Sequence, residues 1–355
     1  VRTLSATQLA QQLERDRTPY IKFILDNGVT QYDYSTDVAT DRLLSIEHTE
    51  APYTEEADVI LNNFDRAVPD LRGYHVDPEY GDVVPGVGNE SAEYPRLWVV
   101  SQYERSQPGG TLGLTVTLKL WGAWTLLSMI YVDHVGAAPF YDYIYNRTTT
   151  PLDIMTPALA DVSITLTDNS SDDLITDTMT PYIEVNMPSQ ESYQGLLKRL
   201  INITKKYYRM DVNQTCYLIY PQDSDAVDET YYTVTTAGYM TALFHAEQMN
   251  ESIPNKVVVY CNQDADAAWN EGWGSMITGT AEDTTASARF QPLGQTNVIE
   301  YSVAPTINNQ TDADKYASAR LIRSKAESRA AWFECPHDAR LQCYDRVQVI
   351  DVRGF

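Results

Sequence analysis

The chain has 355 residues, 49 acidic against 26 basic, and a formal net charge of -23. So acidic a surface repels nucleic acid and excludes a protein that reads DNA sequence. No apolar run reaches the ~18 residues that span a bilayer, and no secretory signal opens the chain.

The length suggests two or three domains, with ample core to bury. The first residue is Val1, so an initiator Met or a short leader is expected to be missing. In chain order, apolar residues at 4, 6, 9, 10 and 13 predict a short amphipathic helix starting near Ser5 or Thr7, and Pro19 ends it. Tyr20 to Leu25 reads as a strand, followed by a turn at Asp26, Asn27 and Gly28. Strands are expected at 43–48, 58–62, 72–76 and 97–103, with Pro, Gly, Asp and Asn between them, as in a β-sandwich or barrel. From Leu112 to Leu120 apolar residues alternate with Gly, Thr and Lys, the pattern of a half-buried strand.

Pro151 to Ala160 predicts a helix capped by Thr150. After a strand at 181–187, Ser189 is expected to cap a helix reaching Tyr208. Tyr193, Leu196, Leu197, Leu200 and Ile201 share one of its faces. Cys216 to Tyr220 and Lys256 to Cys261 read as strands, and 264–296 as a long loop. A last helix is expected from Thr311 to about Ala331, then an alternating strand from Asp345 to Asp351.

Catalytic signatures are missing: no dinucleotide or P-loop glycine motif, no nucleophile elbow and no zincin motif occurs. Gly86 and Gly88 read as a turn. Cys335, His337 and Cys343 are the best metal candidates, but they are three ligands at a spacing unlike a zinc knuckle. A turn with two small apolar cysteines, a metal site and a local disulfide all fit that stretch. The other cysteines are Cys216 and Cys261, too few for a disulfide scaffold. The histidines at 48, 75, 134, 245 and 337 sit in no catalytic pattern. Glu55/Glu56 and Asp172/Asp173 are adjacent, so they point apart and read as solvated surface rather than as a glycosidase pair. Seven Asn-x-Ser/Thr triplets, from Asn89 to Asn309, are read as unmodified. The 25 tyrosines suit sheets and subunit contacts.

Three groups of residues carry a resemblance. The first runs from Tyr20 to Gly81, with Leu61, Asn62 and Asn63 ending a strand ahead of Leu71 and Gly73. The second is the strand at 181–186 leading into the 189–208 helix, then Tyr208 to Asp211 and Cys216 to Pro221. The third is the 311–331 helix, then Glu334 to Pro336, Leu341 to Asp345 and Val347 to Arg353. Together they resemble the phage tail and baseplate hub family, which includes the late-control D-like proteins. Residues 262–300 match nothing in that pattern. Relatives often continue beyond the point where this chain stops, so a minimal hub or a truncated one is expected.

The resemblance implies an α+β, predominantly β fold with two hub-type β-barrel domains and an inserted α+β middle region. The divisions would be 1–121, 122–255 and 256–355, the last holding helix 311–331. It also implies a homotrimeric ring in the virion, at the tail tip or baseplate and assembled in the host cytoplasm. The ring would join the hexameric tail tube to the central spike or tip protein, with the tape measure protein as a further partner. Genomic DNA would pass through without specific binding, and no cofactor or catalysis is implied. The alternatives are a distal-tail, tube or receptor-binding component, or a cell-wall or glycan hydrolase.

Overall fold

The computed structural model describes residues 2–14, 16–106, 113–132, 143–146, 148–168, 174–185, 191–222, 224–236, 238–249, 254–261, 276–284, 299–304, 307–327 and 329–351. Strands dominate, and six α-helices accompany them among the described residues. This is the expected predominantly β, α+β class. Two compact units result. The first holds Val1–Met129, Tyr208–His245 and Phe333–Phe355; the second holds Ile130–Tyr207 and Ala246–Trp332. The units interleave along the sequence.

In the first unit, Ser5 caps helix α1 (Ala6–Gln12) by accepting the Gln8 N–H. The buried residues of α1 are Gln8, Gln11 and Gln12, not its apolar stripe. The helix therefore docks through amides. The Gln12 amide, oriented so that both its atoms are satisfied, donates to Asp338 and accepts from the Ala339 N–H.

The expected strand from Tyr20 is two strands, β1 (Pro19–Lys22) and β2 (Ile24–Asp26). Phe23 breaks the run. Its N–H donates to Ser35 Oγ at 3.0 Å, and its carbonyl accepts the Tyr34 N–H at 2.9 Å. Gly28 takes φ +81° in the turn that follows, a conformation glycine adopts without a side-chain clash. Next come β3 (Gln31–Asp33), β4 (Leu43–Ala51), β5 (Thr54–Asn62) and β6 (His75–Val76). Then follow β7 (Glu79–Val84), β8 (Gly88–Glu93), β9 (Leu97–Ser106) and β10 (Leu114–Gly122), which runs into the short helix α2 (Ala123–Leu126).

They pair as a three-stranded sheet, β1-β7-β8, and a seven-stranded sheet, β3-β2-β6-β9-β10-β5-β4. The bend at Phe23 hands the chain from one sheet to the other. No described sheet closes on itself, so the expected barrel is two open sheets joined at a corner. Alternation supplies the core. Ala57, Val59 and Leu61 of β5 and Val116, Leu118 and Leu120 of β10 are buried with Phe23, Leu25 and Leu97. Each large apolar side chain buried this way contributes about 1.5–3 kcal/mol. A third sheet is all parallel: Glu229–Tyr232 lies between Met240–Thr241 and Val347–Ile350. Tyr231, fully buried, centres its core.

In the second unit, α3 (Pro151–Ala160) keeps its expected bounds and its Thr150 cap, which accepts the Asp153 N–H. A short helix, α4 (Leu174–Thr178), follows. Helix α5 (Tyr193–Ile203) is capped by Ser192 and buries the expected apolar face. The expected cap, Ser189, lies outside the described residues. Helix α6 (Gln310–Glu327) is capped by Asn309, which accepts the Asp312 N–H at 2.8 Å. It ends four residues before the expected Ala331, and Arg329–Glu334 is a strand. Ala330 and Ala331 are good helix formers, so the local pattern carries no stop signal. Strand Lys256–Cys261 is the centre of a sheet between Ile277–Glu282 and Ile299–Ala304. The first of these edge strands lies inside the expected long loop. At Gly279 an added Cβ would lie 2.1 Å from the Ala313 carbonyl oxygen, so helix and sheet backbones meet closely there. No described helix is long and apolar enough to cross a membrane.

Candidate functional site

Ile46, His48 and Glu50 share one face of β4, because strand side chains alternate. That face, with Tyr20, Tyr80 and Tyr94, lines a cleft of about 520 Å³ in the first unit. Pro336 and His337 form another wall.

Ion pairs and rings pin the 336–341 segment there. Arg2 reaches both Glu50 carboxylate oxygens, at 2.9 and 3.1 Å, and donates to the Leu341 carbonyl at 2.5 Å. Its guanidinium carbon lies 3.6 Å from the Tyr94 ring centroid, a cation–π contact. Arg17 grips Asp82 at 2.8 and 3.0 Å and donates to the His337 carbonyl at 3.0 Å. Asp338 accepts from Tyr231 Oη at 2.7 Å and from Arg340 Nη2 at 2.7 Å, while Arg340 also pairs with Glu229. Breaking one partner out of a buried pair of this kind typically costs about 3–5 kcal/mol.

The titratable rings are held in their neutral forms. Burial, then the Arg2 charge, pulls His48 down to about 4. Burial and Arg17 also lower His337. Burial pushes Tyr94 up to about 12 and raises Tyr80 well above its usual range. Each phenol lies within hydrogen-bond distance of an imidazole, Tyr80 Oη 3.0 Å from His48 Nδ1 and Tyr94 Oη 3.3 Å from His337 Nε2. Burial raises Asp338, but hydrogen bonds from Arg340 and Tyr231 outweigh it and leave the carboxyl below its usual value. The carboxylates of this cleft, Glu50 and Asp82, face the guanidinium groups of Arg2 and Arg17, and its imidazoles face phenols.

The three sequence-based metal candidates stand in different surroundings. Cys335 packs against the Tyr231 core, and His337 lines the cleft. Cys343 lines a separate, water-sized cavity with Glu50, Glu55 and Trp124. Among the described residues no group of three or more His, Cys, Asp or Glu is placed to hold a metal ion. Burial pushes the thiols of Cys335 and Cys261 up to about 11 and that of Cys343 up to about 12, and raises Cys216 further. These are poor conditions for a thiolate nucleophile or ligand.

Glu55 and Glu56 point to opposite faces of β5, as adjacent strand residues must. Glu56 is exposed, but Glu55 is only 5% exposed, against the expectation of solvated surface. Among the described residues its Oε2 has no hydrogen-bond partner, and burial pushes its carboxyl up to about 8. An added Cβ at Gly122 would come within 2.0 Å of that oxygen, so a glycine there makes the room. His75 lies in β6; Asp172, Asp173 and His134 fall outside the described residues, as does the side chain of His245. Sequence reasoning missed Arg2, Arg17, Glu50, Asp82, Asp338 and Arg340. No local signal marks partners as far apart as Arg2 and Leu341.

No protein-family model and no curated protein matches the sequence. Solved structures do. The tail protein from Neisseria meningitidis MC58 superposes with a TM-score of 0.60 at 11% identity, over 95% of this chain and 87% of its own. The fold resembles that of tail proteins. The prophage MuSo2 43 kDa tail protein from Shewanella oneidensis agrees, with a TM-score of 0.54 at 13% identity, over 93% of this chain and 88% of its own. At such identities the likeness is one of fold, and it extends through both units.

Proposed function

We propose that this chain is a non-catalytic structural subunit of a phage-type tail. Three copies would form a ring at the tail tip, joining the hexameric tube to the central spike or tip protein. The observation that carries the proposal is the likeness in fold to two tail proteins along nearly the whole chain. The cleft adds support, because its charged and aromatic groups tie the chain to itself. Cyclic symmetry suits such an adaptor, since one patch type must meet repeated tube subunits. The net charge of -23 suits a wall past which DNA moves without sticking. Sedimentation equilibrium of the purified 40.1 kDa chain tests the ring. A trimer mass is expected. A hexamer would favour a tube protein, and a monomer at all concentrations would count against any ring.

A further inference from the structure

Four rings form one cluster on the cleft wall. The His48 ring of β4 has its centroid 5.7 Å from both Tyr80 of β7 and Tyr94, which follows β8. The two phenols stand edge to face at 4.7 Å, and His337 lies 5.6 Å from Tyr80 and 6.3 Å from Tyr94. His337 begins the 337–341 segment, which joins no described strand. N-terminal residues hold that segment instead. The Arg2 N–H donates to the Arg340 carbonyl at 2.7 Å, Arg17 donates to the His337 carbonyl at 3.0 Å, and the Gln12 amide bonds Asp338 and Ala339. Ala339 is fully buried beside Tyr80 and Tyr94. The larger core between β5, β10 and Phe23 contains none of these residues.

A proton added to this cluster meets charge of its own sign. Arg2, Glu50, Tyr80, Tyr94 and His337 face His48. Arg17, Arg2, Asp82, Asp338, Tyr80 and Tyr94 face His337. The carboxylates are already engaged, Glu50 by Arg2, Asp82 by Arg17 and Asp338 by Arg340. Each imidazolium would therefore sit beside a guanidinium and the other imidazole, with little water to spread its charge. We propose that the four rings are an acid-sensitive latch: charging His48 and His337 parts residues 337–341 from the N-terminal segment while the β5–β10 core stays folded. Asp338 stays bonded to Tyr231 and Arg340, and the segment opens on that anchor. The latch does not depend on the ring proposed above. Its closed form is fully stable above pH 6.5 and weakens as pH falls towards 4, the value to which burial pulls His48. Opening restores the ordinary value of 6.5, so His48 alone favours it about 20-fold more at pH 5 than at pH 7.

Hydrogen exchange of the full chain at single-residue resolution, at pH 7 and pH 5, tests this. After correction for the intrinsic pH dependence, the Ala339 amide should exchange about 20-fold faster at pH 5, or more with His337 contributing. The amides of Val59 in β5 and Leu118 in β10 should not change. In His48→Gln/His337→Gln, with circular dichroism confirming its fold, the Ala339 rate should rise by about threefold at most. The wild-type comparison decides by itself if that variant does not fold. An Ala339 rate that does not rise, an equal rise at Val59 and Leu118, or an undiminished rise in the double variant would overturn the proposal.

Discussion

Glu55→Gln should stabilise the protein, and increasingly so as pH rises. Burial pushes the Glu55 carboxyl up to about 8 in the fold, against its ordinary value of 4.5. Between those values the folded chain holds a proton that the unfolded chain releases, so stability is full below 4.5 and is lost as pH rises through 8. At pH 7 the mismatch is about 2.5 pKa units, or on the order of 3 kcal/mol at 1.36 kcal/mol per unit. Glutamine keeps the shape without the charge, although its amide must also find a partner, so a gain of about 1–3 kcal/mol is expected. Urea unfolding followed by tryptophan fluorescence at pH 5, 7 and 8.5 reads it, since Trp124 lines the same small cavity. The wild type should weaken over that range while Glu55→Gln stays flatter and exceeds it above pH 6. A variant no more stable than wild type at pH 8.5, or a difference independent of pH, would refute the reasoning.

The histidines act at the other end of the pH scale. His48 titrates at about 4 in the fold and 6.5 when unfolded, so its contribution is present above 6.5 and lost as pH falls through 4; His48→Gln should reduce the acid sensitivity of thermal unfolding. Arg2→Ala leaves Glu50 without its bidentate partner in a part-buried site and should cost about 3 kcal/mol, visible as faster hydrogen exchange near Leu341. Gly122→Ala would force a methyl group against Glu55, 2.0 Å from its Oε2 and 2.4 Å from its Cβ, and should lower the melting temperature; pairing it with Glu55→Gly, which removes both contacts, should recover part of the loss. Leu200→Ala, on the fully buried face of α5, should cost about 2–5 kcal/mol in urea unfolding.

Local chemistry carried much of the fold into the sequence. The Thr150 cap and Pro151 set the start of α3, alternation marked β10, and a continuous apolar run marked Lys256–Cys261. Local patterns misled where tertiary partners decide. The buried residues of α1 are glutamines rather than its apolar stripe, and Asp338 and Ala339 offer hydrogen bonds to Gln12. Phe23 breaks a run that looks continuous, because Ser35 takes its N–H. The cleft was almost illegible. His48 and His337 stood out as residue types, yet what defines their setting is Arg2 and Arg17 crossing to distant carboxylates and carbonyls. Glu55 looked like one half of a solvated acidic pair, and only its place opposite Gly122 shows otherwise.

A cryo-EM reconstruction of the tail tip of the parent particle, with symmetry left free, tests the proposed threefold ring. Three copies of this chain around the axis, between tube and spike, are the expected result. Six copies per layer stacked along the tail, or density for this chain only away from the axis, would contradict it.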